Sequence, residues 1–303
     1  MMSDQRRRIK IKLSKVTLAP IDKMKITVLV EDSKSMDKPE LMAKHGLSFL
    51  LETKIMGMNS KLLMDVGPEP NIALKNARCM GLDIKDIDGI FITHGHYDHV
   101  GAILKVLEYV NRPVPVVAHP EIFNPKFTYK PKLTSIGFGY GSSDVQTRGG
   151  ILLLVRNSFE ITRGVMTSGE IPRKTVFEEI KGLWTIKNYC FIEDSMVDEQ
   201  SLFINIKNKG LVILIGCGHL GIVNIIKHAQ DLTGIKKVHA IIGGMHLGKS
   251  DRKKIMVTVK ELSRINFDSI YPCHCTSTEA INQFLNSFEE RCVPIRTGSI
   301  LEF

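Results

Sequence analysis

The chain consists of short apolar runs separated by turn residues, a pattern that predicts many strands with helices between them. Strands are predicted at residues 24–31, 45–52, 61–65, 89–92, 114–118, 201–207, 211–215, 240–242 and 269–272. Helices are predicted at residues 71–80, 102–109, 222–233, 251–264 and 279–288. The last third of the chain therefore alternates strand and helix, and three successive strands each end shortly before a helix begins.

The composition is that of an ordinary soluble globular protein. Hydrophobic residues make up 43% of the 303 residues, enough for a substantial core in one large domain or two. The longest apolar stretches, such as 210–216, are far shorter than the ~20 residues of a membrane span, and residues 1–18 lack the apolar segment of a signal peptide. The six cysteines match no zinc-site spacing, and a chain of this size needs no disulfides, so we expect a reducing cytoplasm.

Positive charge is concentrated at the start of the chain. The formal net charge is +9, and eight Lys/Arg against two Asp give the first 25 residues +6 of it, which leaves +3 for the remainder. We interpret residues 1–23 as a basic extension, flexible or forming an edge strand, and residues 24–303 as a single domain. A basic tail can bind nucleic acid. The charge of the globular part argues against nucleic acid as the partner.

The densest candidate chemistry lies in residues 93–101, Thr-His-Gly-His-Tyr-Asp-His-Val-Gly, directly after the apolar run 89–92. Because alternate residues of an extended segment point the same way, His94, His96 and Asp98 can converge, while His99 faces a neighbouring point. Imidazole nitrogens with one carboxylate suit Zn²⁺, and also Fe or Mn. A surface loop without function seldom carries three histidines in six residues, so this segment predicts a metal site.

Three further histidines follow strands in the last third of the chain. His219 lies two residues after Cys217, His246 follows two glycines, and His274 lies beside Cys275. Each stands at a predicted strand-to-helix junction. One such histidine would be unremarkable, but three of them together with the residue 94–99 cluster predict a shared site at one sheet edge.

Two other stretches are candidates for substrate binding. Residues 121–150 are rich in Pro, Gly and Ser with interleaved aromatic residues, and we interpret this irregular stretch as a substrate-facing insertion. Glu170 and Arg173 place a carboxylate and a guanidinium around a Pro-containing turn, which alone is a weak signal. His119, a lone strand-end histidine, is more typical of a hydrogen-bonded residue than of a ligand.

Residues 94–99 resemble the His-x-His-x-Asp-His signature of the metallo-β-lactamase superfamily. The resemblance implies an α+β fold, a four-layer αββα sandwich with one or two metal ions at one edge. Further segments resemble one family of that superfamily, the 7,8-dihydropterin-6-methyl-4-(β-D-ribofuranosyl)-aminobenzene-5′-phosphate synthases: 29–32, 45–48, 169–173, 198–202, 216–221, 243–247 and 274–276. This resemblance spans residues 24–303. It implies condensation of a dihydropterin-methyl diphosphate with the amine of a ribofuranosyl-aminobenzene phosphate, with release of diphosphate, in methanopterin biosynthesis.

The resemblance also implies two divalent metal ions, with zinc favoured over manganese or iron. The expected ligands are His94, His96 and His219 for the first ion, and Asp98, His99 and His274 for the second. The bridging position of the superfamily falls on Cys217, and the position of its usual third histidine falls near Asp198 and Glu199. His219 is favoured to replace that histidine, with Asp198 as the alternative. Asp65 either supports the metal loop, as in the superfamily, or caps the following helix.

Three functions are compatible with these residues. The favoured one is the synthase, a transferase in which His246 and Asp98 act in catalysis and His45, Glu170 and Arg173 bind a small phosphorylated heteroaromatic substrate. The second keeps the fold and is a hydrolase of a phosphodiester, lactam or thioester that uses a metal-activated water. The third is nucleic-acid binding or processing through the basic tail. The sequence leaves the oligomeric state open, a homo-oligomer included.

Overall fold

A computed structural model describes residues 17–248 and 250–303. The strands are β1 (Pro20–Ile21), β2 (Lys23–Val30), β3 (Ser48–Ile55), β4 (Met58–Met64), β5 (Gly89–Phe91), β6 (Val114–Ala118), β7 (Lys126–Thr128), β8 (Thr134–Ser135), β9 (Gly150–Leu154), β10 (Glu160–Thr162), β11 (Val165–Thr167), β12 (Leu183–Lys187), β13 (Cys190–Glu193), β14 (Leu202–Ile206), β15 (Gly210–Ile215), β16 (Val238–Gly244), β17 (Phe267–Cys273) and β18 (Ile300–Glu302). The helices are α1 (Ile72–Cys79), α2 (Tyr97–Val100), α3 (Ile103–Val110), α4 (Ser142–Thr147), α5 (Ile222–Thr233), α6 (Arg252–Leu262) and α7 (Thr278–Phe288), with 3-10 helices at Pro120–Phe123 and Glu289–Arg291.

Two seven-stranded sheets pack face to face, with helices on their outer faces. The first has the order β18-β2-β3-β4-β5-β6-β9, and the second has the order β10-β11-β14-β15-β16-β17 with β1 beside β14. Along β15, Leu211 and Ile213 contact the outer core with α5, α6 and α7, whereas Val212 and Leu214 contact the core between the sheets. The helices α1 and α3 cover the first sheet. The expected α+β fold, a four-layer αββα sandwich, is confirmed.

The strands that carry candidate ligands end at one edge of this sandwich. Strands β4 and β5 are parallel, and β2 shares their direction because both β2 and β4 are antiparallel to β3. In the other sheet β15, β16 and β17 are parallel to one another. The carboxyl ends of β5, β15, β16 and β17 are therefore each followed by one of the predicted histidine segments.

A third, four-stranded sheet has the order β13-β12-β7-β8. It uses part of the stretch 121–150, which is therefore less irregular than its composition predicts and which also forms α4. On its outer face the chain's single tryptophan, Trp184, stacks on Phe191 with ring centroids 5.0 Å apart and planes 8° apart. On its inner face Lys126 and Thr185 are buried. The stretch therefore carries a small sheet directly beside the sandwich.

The folded chain begins before residue 24. Leu18 and Ile21 are buried, and β1 pairs in parallel with β14. Part of the segment expected to be an extension thus belongs to the second sheet, while its first 16 residues, which hold most of the basic side chains, lie outside the described residues. Among the described helices, we find none with the length and apolar character that crossing a membrane requires.

Candidate metal centre

His94, His96 and His219 form one buried cluster whose ligand atoms all lie within 4.8 Å of one another. His94 and His96 lie in the loop after β5, and His94 Nε2 is 3.0 Å from His96 Nδ1. His219 lies in the turn after β15, with its ring centroid 4.8 Å from that of His94 and 4.9 Å from that of His96. Three imidazoles brought together from two sheets are a set that can hold Zn²⁺ with a position left open.

Asp98, His99, Cys217 and His274 form a second buried cluster within the same 4.8 Å limit. Asp98 and His99 lie in α2, where His99 Nε2 is 3.1 Å from Cys217 Sγ. His274 follows β17, and its Nε2 is 3.4 Å from Asp98 Oδ2. Carboxylate, imidazole and thiol ligands together suit a divalent transition metal. Cys217 also lies within ligand distance of His219, so it stands between the two clusters, where the resemblance implied a bridging residue.

The loop that carries His94 and His96 requires glycine between them. A Cβ atom on Gly95 would collide with the carbonyl oxygen of Ile122, because the insertion packs directly on this loop. Tyr97 N donates to the carbonyl of Ile136, a second contact between the two segments. The insertion therefore helps to fix the positions of the first two histidines.

Carboxylates hold the ring nitrogens that face away from the two clusters. This contact fixes the tautomer and the ring orientation of an imidazole ligand. Such pairs join Asp65 Oδ2 to His99 Nδ1 at 2.7 Å, Glu199 Oε1 to His219 Nδ1 at 2.8 Å, and Asp32 Oδ1 to His274 Nδ1 at 2.7 Å. Of the two roles considered for Asp65, the structure therefore supports the one beside the metal loop, since helix α1 has Asn71 at its N-cap.

Unpaired buried nitrogens test whether these residues fit metal ions. Within the described part of the chain, His96 Nε2, His274 Nε2 and His246 Nδ1 are buried without a hydrogen-bond partner. Buried polar atoms normally have a partner, so three such nitrogens in one place need an explanation. A metal ion at the second cluster would satisfy His274 Nε2, whereas His96 faces the first cluster with Nδ1, 3.0 Å from His94 Nε2. The donor set of both clusters fits divalent metal ions.

Burial and neighbouring charges set the protonation of these groups. Burial and the adjacent imidazoles lower the pKa of His94 and of His96 well below 6.5. Burial also acts on His274, but the hydrogen bond to Asp32 and the nearby carboxylate of Asp98 outweigh it and raise the pKa of His274 well above 6.5. Although burial opposes it, the electrostatic influence of the neighbouring His99 and the contacts with His274 lower the pKa of Asp98. His94 and His96 are therefore neutral and ready to bind a cation, whereas His274 holds a proton more tightly.

Asp198, the alternative to His219, is already engaged. Its Oδ1 accepts from Lys126 Nζ at 2.8 Å, and its Oδ2 accepts from Gly95 N at 2.9 Å. Lys126 also donates to Asp194 Oδ2 at 2.8 Å, which makes a buried triad of one ammonium and two carboxylates. Among the described residues, the clusters of ligand atoms include His219 and do not include Asp198. The geometry favours His219 as the third imidazole.

His246 lies beside the first cluster. Its ring centroid is 4.2 Å from that of His219, and its backbone N donates to Cys275 Sγ at 3.3 Å. Cys217, His219 and His246 also form a set that could share an ion. The φ angles of His246 and His274 are 44° and 51°, a left-handed conformation that is uncommon for residues other than glycine and is often found at functional sites.

The residues expected to bind substrate lie in different surroundings. Glu170 accepts from Arg156 at 2.7 Å and lies 3.1 Å from His119 Nε2, while Arg173 donates to the carbonyl of Ser195 at 3.1 Å. In the described residues no hydrogen bond joins Glu170 to Arg173, so the structure does not bring them together as a pair. His45 lies at the second cluster, with its Nε2 3.4 Å from Asp98 Oδ2. His119 is hydrogen-bonded, as expected of a residue that is not a ligand.

Sequence reasoning missed two residues of this site. Asp32 lies 242 positions before His274, and only its place in a family-like segment, residues 29–32, drew attention to it. No feature of the sequence marks Lys126 as part of the site, because a single lysine in a Pro- and Gly-rich stretch predicts an exposed side chain. Its partners Asp194 and Asp198 are distant in sequence, so only the folded chain identifies the triad.

Comparisons with known proteins agree with this architecture. The family model for the metallo-beta-lactamase superfamily matches residues 43–169. The chain is 33% identical over 294 residues to 7,8-dihydropterin-6-methyl-4-(β-D-ribofuranosyl)-aminobenzene-5′-phosphate synthase of Methanocaldococcus jannaschii, a match that covers 95% of this chain and 99% of the relative. It is also 27% identical to an uncharacterized protein of that organism, over 82% of this chain and 91% of the relative.

Two solved structures are similar as well. One is Tm1679, described as a metal-dependent hydrolase of the β-lactamase superfamily, with a TM-score of 0.77 and 27% identity over 92% of this chain and 99% of that one. The other is Zn²⁺-bound PqqB from Methylobacterium extorquens, with a TM-score of 0.51 and 12% identity over 91% of this chain and 99% of that one. At that identity the second match shows a common fold.

Proposed function

Because the chain belongs to the metallo-β-lactamase superfamily and, within it, to the 7,8-dihydropterin-6-methyl-4-(β-D-ribofuranosyl)-aminobenzene-5′-phosphate synthase family, we propose that it is a metal-dependent synthase. The bond formed joins the methylene carbon of a dihydropterin-methyl diphosphate to the amine of a ribofuranosyl-aminobenzene phosphate. The bond broken joins that carbon to the diphosphate, which leaves with the electron pair, while the amine gives up a proton. The observation that carries the proposal is the 33% identity to the synthase over nearly the whole of both chains.

In this proposal each of the two clusters holds one divalent cation. The first cluster consists of His94, His96 and His219. The second consists of Asp98, His99 and His274, and Cys217 lies between the two. Zinc is favoured, with manganese and iron as alternatives, because imidazole, carboxylate and thiol together suit Zn²⁺. Two such cations would neutralise charge on the diphosphate as it leaves.

The protein's own part is to orient the reactants and to move one proton. His246 lies beside the first cluster and carries a buried Nδ1 that the described residues leave without a partner. We assign it to hydrogen-bond, and to protonate, an oxygen of the leaving diphosphate. Asp98 orients the second cluster through its contact with His274. Glu170, Arg173 and the stretch 121–150 would hold the pterin and phosphate groups of the substrates, since arginine can make two parallel contacts with one phosphate.

The proposed reaction also indicates the class of substrate and the cellular compartment. Its substrates are small phosphorylated heteroaromatic molecules, and we place the protein in the cytoplasm, because a chain of this size needs no disulfides. A hydrolase is the second candidate, and the similarity to Tm1679, whose description is a metal-dependent hydrolase, is the observation that favours it.

One assay separates the two candidates. The metal-loaded protein is incubated with the pterin diphosphate, with the aminobenzene phosphate, and with both, and released diphosphate and condensed product are measured. A synthase releases diphosphate in step with product and only when both substrates are present. Release of diphosphate from the pterin compound alone, or cleavage of generic phosphodiesters without condensation, would favour the hydrolase.

A further inference from the structure

Asp32 joins two imidazoles at the outer side of the second cluster. Its Oδ2 lies 2.8 Å from His45 Nδ1, and its Oδ1 lies 2.7 Å from His274 Nδ1. The Nε2 atoms of both rings then lie 3.4 Å from the same oxygen, Asp98 Oδ2. One carboxylate thus holds His45 and His274 in matching orientations around one oxygen of the second cluster.

This arrangement prepares His45 as a ligand in the same way as His274. A carboxylate that accepts the Nδ1 proton leaves the Nε2 lone pair free, which is the usual support of a metal-bound histidine. The rings of the two histidines lie 4.9 Å apart, centroid to centroid. His45 differs in that its side chain is half-exposed and lies on the loop between β2 and β3.

The backbone around His45 is fixed against the metal loop. Leu47 N donates to the carbonyl of Asp98 at 3.1 Å, and Gly46 N donates to Asp32 Oδ1 at 3.3 Å. Gly46 has a φ of 146°, and a Cβ there would collide with the same Asp98 carbonyl. The position of His45 is therefore set by close contacts with the residue that carries the proposed ligand oxygen.

We propose that His45 is an additional metal ligand, which binds through Nε2 the cation held by Asp98 and His274, with Asp32 as its positioning residue. This inference rests on the two-cation centre of the proposed function. It replaces the substrate contact expected for His45 from the sequence, and it adds a ligand from the first sheet's β2–β3 loop to a cation otherwise bound near β5 and β17.

The test compares His45→Ala with wild type and with His239→Ala. His239 is a matched control, because its Nδ1 also lies 2.8 Å from a carboxylate, that of Asp268, near the start of β16 at the opposite end from His246. Each protein is loaded with Co²⁺ or Zn²⁺. Metal content after dialysis, affinity by chelator competition and the Co²⁺ absorption spectrum are then measured.

We expect wild type and His239→Ala to hold two equivalents. His45→Ala should keep the first equivalent, which also reports that it is folded, and should bind the second at least about 10-fold more weakly, with an altered Co²⁺ spectrum. An unchanged second affinity and spectrum in His45→Ala, or binding of only one equivalent by wild type, would overturn the inference. A rise in substrate KM without any metal effect would instead restore the role of substrate contact.

These readouts are independent of the reaction. If wild type binds two equivalents and His45→Ala loses the second while no condensation is detected, the ligand assignment stands and the synthase proposal fails. If condensation is detected and the metal properties of His45→Ala equal those of wild type, the synthase proposal stands and the ligand assignment fails.

Discussion

At the scale of single residues, the candidate metal centre is organised by hydrogen bonds to the histidine ring nitrogens that face away from the clusters. His99, His219 and His274 each face a buried or half-buried carboxylate, and His94 Nδ1 lies 3.0 Å from Thr93 Oγ1. These partners decide which nitrogen is free to bind a cation. The two clusters also differ in protonation. The carboxylates around His274 favour its protonated form, whereas burial keeps His94 neutral.

The two proposed cations are therefore expected to leave at different pH values. A proton competes with the cation for the same lone pair, so a ligand with a higher pKa loses its cation at a higher pH. As the pH falls, the second cluster should lose its cation before the first, because the pKa of His274 is raised whereas the pKa values of His94 and His96 are lowered. Dialysis of the loaded protein at stepped pH, with metal analysis, should show two separate losses. Simultaneous loss of both equivalents would contradict this order.

His246 is the residue whose role is most sharply tested by substitution. If it protonates the leaving diphosphate, His246→Ala should lower turnover about 10²-fold or more and leave the metal content unchanged. His239→Ala, at the other end of β16, serves as the control and should change neither. The structure also places His246 within ligand distance of Cys217 and His219. If the metal content of His246→Ala fell in step with its activity, the acid role would be wrong.

At the scale of elements, the small sheet β13-β12-β7-β8 reaches the metal loop through the buried triad. Lys126 on β7 is paired with Asp194 and Asp198, and Asp198 holds Gly95 between His94 and His96. Burial opposes the charge on Lys126, but Asp198 and Asp194 outweigh it and raise the pKa of Lys126. The ammonium therefore stays charged and keeps two buried carboxylates compensated.

Removal of the Lys126 ammonium should lower the stability of the fold. Lys126→Met leaves Asp194 and Asp198 buried without their cation, and we expect the free energy of unfolding to fall by about 3–5 kcal/mol. The control is Lys187→Met on the adjacent strand β12, where an exposed pair with Glu121 is worth about 0–1 kcal/mol. Urea unfolding of the metal-free variants gives both values. Equal losses in the two variants would show that the triad contributes no more than a surface pair.

The sequence predicted the elements that follow simple patterns. The strands that precede the histidine segments were placed within a few residues, as were α3 and α5 to α7, because apolar runs and turn residues mark them locally. The small sheet was missed since β12 pairs with β7, more than 50 residues earlier, and neither strand has a regular apolar pattern. The segments that carry the candidate ligands stand out by residue type, whereas Asp32 and Lys126 act through contacts that exist only in the folded chain.

At the scale of the whole molecule, the centre lies where the two sheets of the sandwich meet. The loop after β5 comes from the first sheet, and the turns after β15 and β17 come from the second. Neither sheet has a complete ligand set, because His219 and His274 complete clusters that begin with His94 and Asp98. Cation binding should therefore stabilise the pairing of the sheets as well as the loops.

Residues 17–23 contribute to the stability of the domain through Leu18 and Ile21, which are buried. We expect residues 24–303 to be less stable than residues 17–303 by several kcal/mol. The reason is the loss of Leu18 and Ile21, each worth about 1.5–3 kcal/mol when fully buried. Urea unfolding of the two lengths tests this. If the shorter chain were as stable as the longer one, residues 17–23 would contribute nothing to the fold.

The stacked pair of Trp184 and Phe191 gives the molecule an intrinsic optical reporter. Since the chain holds one tryptophan, its fluorescence comes from one known indole on the outer face of the small sheet. The inner face of that sheet holds the Lys126 ammonium, which connects it to the loop between His94 and His96. A change in emission intensity or wavelength when cation or substrate is added would therefore report movement of this sheet in solution, without a label and on the timescale of a stopped-flow measurement.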